Sequence, residues 1–452
     1  MIAKKNEKGQ IIVILALSMV AMIGFAALAL DGSLIYNARR QDQNTADSAA
    51  LAGAGAIANY LKEVESGVLI CGKPAGTQAT ILAVNAVRAS VAVDGISTAE
   101  MPKLANDAEL AAADQGFTIT CDWYGGLGTQ YLDVHVKVST EMDTNLAQIV
   151  NTDTLKTSVE STARVYPGQP FAYGNGLVSL SDACSTKQGG IEFLGASVTK
   201  INEGGVFSNS CLKMNTGEVT VTGGEIQYWN QSECKDCFGN PDVSPEPIPA
   251  YIKLPKNMIE APNCDQPMTV YSAHNGVYSG TISPGKYMTG IKMDKNDDTK
   301  SLTLSPGLYC VYGGLTNNAQ SNLTADGVTL YFYSGDVAIN QNAKGGVSLT
   351  SCKTAPCGNP SAVEGLLMFF SPSYQADITL NGGSTNVFRG TLYGSNANFH
   401  LNGNTDTTSE ESFAFSTQIV GNWIEVNGKA NLTMNLKGED FVQLPPSLSL
   451  VK

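Results

Sequence analysis

Between Ile11 and Leu30 the chain carries no charged residue, and it then passes without a proline into a polar, alanine-rich pattern that runs to Asn59. About 20 apolar positions rising 1.5 Å each match a bilayer's hydrocarbon core, so the run predicts one transmembrane helix over 11–30. Downstream, Ala46, Ala49, Ala50, Gly53, Ala54 and Ile57 recur at helical spacing, which predicts that the helix continues well beyond the membrane. Small residues so placed permit close packing, either in a membrane or filament assembly or against the chain's own domain.

Lys4, Lys5 and Lys8, opposed only by Glu7, place a stub of residues 1–10 in the cytoplasm and the body outside by the positive-inside rule. Arg39 and Arg40 pull the other way, but long domains translocate largely regardless of charge. Ala27-Leu28-Ala29 offers a signal-peptidase site, so the alternative is a secreted form beginning at Leu30. The unbroken helical pattern favours a retained anchor and a single-pass protein lodged in the lipid bilayer.

Gly9-Gln10 before the apolar run and Leu30-Asp31-Gly32 at its end are followed by Tyr36-Asn37-Ala38-Arg39-Arg40-Gln41 and Asn44-Thr45-Ala46-Asp47-Ser48-Ala49-Ala50-Leu51-Ala52-Gly53-Ala54. Together they resemble the N-terminal segment of the TadE/TadG-like Flp pilus-assembly family. The resemblance covers residues 9–59 and implies a pilin-like protein that meets the Tad secretion and pilus machinery through this helix. Gly9, Gln10, Asp31, Gly32, Gly53 and Gly55 are its candidate assembly positions. Pilins of that system are cut after a glycine with a glutamate five residues on; counting from Gln10, the fifth residue is Ile14, which argues against cutting after Gly9. The D-x-S-x-S metal motif of some larger members is absent.

A net charge of −13 argues against nucleic acid as a partner, since phosphate recognition needs clustered Lys and Arg. Forty-six Gly with only 15% charged residues point to tight turns and short strands. All ten cysteines (Cys71, Cys121, Cys184, Cys211, Cys234, Cys237, Cys264, Cys310, Cys352 and Cys357) follow the apolar run, and in an outward-facing body disulfides are their default fate. Spacing does not fix the pairing. Cys71, Cys121, Cys352 and Cys357 are the candidate disulfide residues, Cys71 with Cys121 forming the natural local pair. Cys234-Lys-Asp-Cys237 and the Cys352 to Cys357 spacing also suit half-zinc sites, a reading the compartment disfavours; no cofactor is expected.

The expected fold class is α+β and all-β: a transmembrane, pilin-like helix, a small α+β domain, then a parallel β-helix (solenoid) body. Residues 31–166 hold the extended helix and the α+β domain, with a second helix over 77–90 and strands at 117–121, 131–139 and 155–165. Leu132, Val134, Val136 and Val138 alternate there with polar residues, as in a half-buried strand, and His135 falls on its solvated face. Over 167–441 helical periodicity vanishes. Short apolar triplets recur between Gly and Asn turns, from Gly176-Leu-Val-Ser-Leu180 to Ala430-Asn-Leu-Thr-Met-Asn-Leu436. This cadence resembles right-handed parallel β-helix surface proteins, in which stacked Asn residues fill the corners. A Pro-rich excursion over 240–262 reads either as a linker between two β domains or, the favoured reading, as a loop thrown out of one continuous solenoid, and 442–452 as a tail.

Chemistry is sparse. Asp294-Lys-Asn296-Asp-Asp298 opens like a calcium loop but has Thr299 in place of the turn Gly and Ser305 in place of the bidentate Glu. Glu364, Asp377, Glu410, Glu411 and Glu425, with Arg389, are the carboxylates and base a carbohydrate-cleaving site would draw on, and their spacing singles out no pair. Tyr309, Tyr312, Tyr331, Phe332 and Tyr333 offer either core or a recognition surface, for glycans among other partners; alternation exposes Tyr331 with Tyr333 and buries Phe332. The expectation is a structural or adhesive component of a Tad/Flp-type pilus system or cell envelope, not an enzyme. A membrane-tethered carbohydrate-active enzyme is the alternative.

Overall fold

The computed structural model describes residues 10–63, 74–97, 99–124, 129–144, 153–166, 168–184, 189–194, 198–214, 218–229, 246–247, 254–293, 301–317, 322–340, 346–381, 386–403, 414–428 and 432–451. Gly9, Cys71, Cys234, Cys237, the loop at 294–298, Glu410, Glu411 and most of the Pro-rich excursion lie outside these. The chain divides into two compact units, Met1–Gln169 with Pro445–Lys452, and Pro170–Leu444.

The first unit is led by helix α1, Gln10–Glu63. Its inner face carries Ala46, Ala49, Ala50, Ala54 and Ile57, all fully buried. Helix α2, Pro74–Val93, adds Ala79, Ala83, Val87 and Val91, one per helical turn. Both pack with an antiparallel sheet made of β1 (Gly116–Tyr124), β2 (Thr129–Asp143) and β3 (Thr154–Tyr166). Alternation decides which side of β2 faces the helices: Leu132, Val134, Val136 and Val138 are buried in one cluster with them. The expected tail is corrected here. Ser447–Leu450 is a strand that pairs antiparallel with β3, Leu448 opposite Val165 and Leu450 opposite Ala163. The alternating Ser-Leu-Ser-Leu of this segment suits an edge strand, and the unpaired rim of β3 supplies its partner.

The second unit is built of short parallel strands stacked in three columns, the arrangement of a β-solenoid. In one column Leu302 pairs with Leu323, which pairs with Val347. In the next, Leu330 pairs with Met368. In the third, Ile339 pairs with Leu380, which pairs with Leu401. Inward side chains from all three columns form one continuous core.

Coil order in space is not chain order. The strands Leu177–Ser179, Gly190–Phe193 and Val198–Asn202 stack directly on the last coil, pairing with Ile419–Gly421, Trp423–Val426 and Leu432–Asn435 in turn. The chain thus enters mid-stack, winds to the end where Glu246–Pro247 stacks on Ile226–Tyr228, crosses to the opposite end at Val270–Tyr271, and winds back to its entry point. Buried polar groups fasten that point. The Gln418 amide donates to the carbonyls of Phe171 (2.7 Å) and Asn175 (2.8 Å), and the Phe171 N–H donates to Val442 O at 3.0 Å.

Candidate functional site

Helix α1 changes environment along its length. Ile12, Leu17, Phe25 and Leu28 are 64–74% exposed, whereas from Asp31 onward one face is closed against the sheet. Among the described residues this is the one helix long and apolar enough to cross a membrane. Asp31 is buried at the changeover, in a small recess with Leu34, Ile35, Met142, Asp143, Thr144 and Leu155. Three turns on, Asp42 is also buried, and its carboxylate accepts hydrogen bonds from Thr140 of β2 (2.6 Å) and Thr157 of β3. Thr45 donates to Asp94, just past α2, at 2.7 Å. The bonds at Asp42 lock the rotation of α1 on its own sheet, and the Thr45 bond ties α1 to the turn after α2.

The candidate assembly glycines have different surroundings. A Cβ on Gly53 would lie 2.7 Å from Val87 Cγ2 and 3.0 Å from Val134 Cγ1, so this glycine is the contact point of α1 with α2 and β2. Gly32 and Gly55 face open space, with nothing within 4 Å of such an atom. Gln10 is the first residue of α1. Asp42 was not singled out by the sequence; its neighbours in the chain give no signal, because its partners lie about a hundred positions away.

On the sheet face away from the helices, His135 is not merely solvated. Its Nδ1 stands 3.5 Å from Asp107 and its Nε2 3.6 Å from Glu160, with Thr118 donating to Asp107. Beside it, Arg164 grips Asp133 with two bonds of 2.8 Å and lies 3.9 Å above the Tyr131 ring. The hydrogen-bonded Asp133 carboxylate holds the guanidinium well above its ordinary pKa.

In the body, Asp377 and Glu425 come together around His400, Glu425 at 3.4 Å and Asp377 at 4.0 Å, while Glu364 lies apart beside Cys352 and Arg389 is exposed in another column. Among the described residues no three metal-ligating side chains gather to hold an ion. Asparagines stack at the corners: Asn402 donates to Asn381 at 2.8 Å, and Asn202 to Asn435 at 2.7 Å. Disulfides join Cys184 to Cys211, Cys264 to Cys310 and Cys352 to Cys357, which leaves the last pair no thiolate for zinc. Cys121 is also disulfide-bonded. Tyr309 and Phe332 are core residues. Tyr312 and Tyr333 are half-buried and stacked at 4.4 Å, but Tyr331, expected to be exposed together with Tyr333, is only 5% exposed, with the Tyr333 ring stacked on it at 4.3 Å.

No curated protein and no solved structure matches this chain. One segment is similar to a known family: residues 9–56, which hold the apolar run and the part of α1 that follows it, match the Tad family model, Flp pilus-assembly TadE/G-like.

Proposed function

We propose that the protein is a membrane-anchored, outward-facing structural or adhesive component of a Tad/Flp-type pilus assembly system, and that it does no catalysis. The observation that carries this reading is α1 itself: one uninterrupted helix, matched by the TadE/G-like model, with an exposed apolar half and a half built into a folded domain. An exposed surface of that length is costly in water and favourable in lipid. Disulfides in the body support an oxidising compartment, and Lys4, Lys5 and Lys8 support the same orientation. A parallel β-helix then serves as a rigid, extended display surface with many shallow faces for partner proteins or glycans.

The test is fractionation of cells with and without residues 12–30, together with protease added to intact spheroplasts. The full chain should sediment with membranes at its uncut length and lose its body to external protease. Recovery in the soluble fraction, or an N-terminus at Leu30, would count against the anchor. Turnover of any member of a polysaccharide panel by the detergent-solubilised protein would count against the non-catalytic role.

A further inference from the structure

One row of side chains in the body faces outward yet is sealed from solvent. Tyr331, Phe369, Tyr393, Val420, Val178 and Phe207 lie in register on successive coils, and none is more than 5% exposed. The chain that crosses between the two ends of the stack is fastened at three points along this row. At one end the Leu254 N–H donates to Asn209 Oδ1 (2.8 Å), and the Asn209 amide donates to Leu254 O (2.7 Å). In the middle, the Tyr393 hydroxyl donates to Lys256 O and accepts from the Met258 N–H. At the far end Cys264 is bonded to Cys310, which sits beside Tyr331 in register, and Met268 Sδ lies 3.6 Å from the Cys310 sulfur. The three fixings follow the order of the row. Within the crossing, Leu254, Pro262 and Cys264 are buried while Lys256, Asn257 and Glu260 are exposed.

We propose that residues 254–268 form a latched cover, closed by the Cys264–Cys310 bond over a continuous aromatic and aliphatic strip. Latched, it withdraws this face of the body from recognition and keeps its row of rings out of water. The cover also ties together the two ends of a stack whose chain enters in the middle. This inference stands independently of the membrane and pilus reading.

The experiment uses the full-length protein in detergent. In the Cys264→Ser/Cys310→Ser variant, trypsin cleavage after Lys256 should speed up about tenfold or more, as cleavage follows the population of the open form. Binding of an apolar fluorescent dye should rise several-fold in parallel, with the far-ultraviolet circular dichroism unchanged. Tyr393→Phe, which removes the central fixing and keeps the disulfide, should speed the same cut about threefold by the same argument. Unchanged cleavage and dye binding in a folded double variant would overturn the proposal. If the double variant loses its circular dichroism signal, the Tyr393→Phe variant decides, and an unchanged cleavage rate there overturns the proposal equally.

Discussion

Gly53 and Gly55 lie two positions apart on α1, and single Ala substitutions should move stability in opposite directions. In a helix interior, Gly to Ala stabilises by about 1 kcal/mol, because the glycine's extra unfolded freedom is lost. Gly55 has nothing within 4 Å of the added atom, so Gly55→Ala should realise that gain. At Gly53 the same atom meets Val87 Cγ2 at 2.7 Å and Val134 Cγ1 at 3.0 Å, inside van der Waals contact on two fully buried side chains. Overpacking of this kind costs about 1–3 kcal/mol, so Gly53→Ala should be destabilising by up to about 2 kcal/mol after the helical gain is subtracted. Urea unfolding of the detergent-solubilised protein, followed by helical circular dichroism, reads the difference as a shift in midpoint. If Gly53→Ala stabilises as much as Gly55→Ala, the packing of α1 on α2 and β2 is not as described. The same pair separates two roles that a joint Leu replacement would confuse. Gly55→Ala adds an atom that meets nothing in the domain, so lost pilus assembly in that variant would reflect this face of α1 meeting another molecule.

Asp42→Ala removes the acceptor shared by Thr140 and Thr157 and should cost about 3 kcal/mol, with Asp42→Asn costing less; thermal unfolding checks the order. Cys352 and Cys357 are 5 positions apart and Cys184 and Cys211 are 27, so removing the first bridge should cost about 2 kcal/mol and the second about 3.5 by loop-closure entropy, measurable as urea midpoints of the two paired Ser variants. Tyr287 and Tyr309 are fully buried, and burial raises both phenols above their ordinary 10.0. Above about pH 10 the unfolded chain releases these protons while the folded chain keeps them, so stability present at lower pH falls by about 1.4 kcal/mol per pH unit for each phenol. Tyr287→Phe should therefore flatten the alkaline limb of a midpoint-versus-pH curve, and an unchanged slope would place that hydroxyl in water.

The first unit was legible wherever its information is local. The spacing of Ala46, Ala49, Ala50, Ala54 and Ile57 marked the buried face of α1, and the alternation of Leu132 to Val138 marked the buried face of β2. What helical spacing did not say is which neighbour that face meets. Small residues in a row fit an intermolecular seam as well as a domain interior, and only the positions of Val87 and Val134 assign Gly53 to the interior. Asp42 was illegible for a related reason: a carboxylate on a polar helix reads as solvated until Thr140 and Thr157 are brought to it by tertiary folding. Ser447–Leu450 read as a tail because four residues of alternation are too short a run to mark a strand, and the partner that orders them, β3, lies far back in the chain.

In the body, the triplet-and-turn cadence located strands over 176–226 and 376–436, passed over most of those between Val270 and Phe370, and left their spatial order open. Each coil repeats one local pattern of apolar triplet and turn, so any coil is a plausible neighbour for any other, and sequence proximity is the only local guide to stacking. That guide fails where it matters most. Leu432–Asn435 sits against Val198–Asn202, more than two hundred positions away in the chain, and the corner bond from Asn202 to Asn435 equals in kind the bond from Asn402 to Asn381 between consecutive coils. A chain that enters its own stack in the middle must carry one segment from end to end along the outside. That segment needs an apolar seat, which the outward row from Tyr331 to Phe207 provides. The buried outward aromatics and the mid-stack entry are therefore one structural fact, and the alternation rule misplaced Tyr331 because it states which side a residue faces and not what lies against that side.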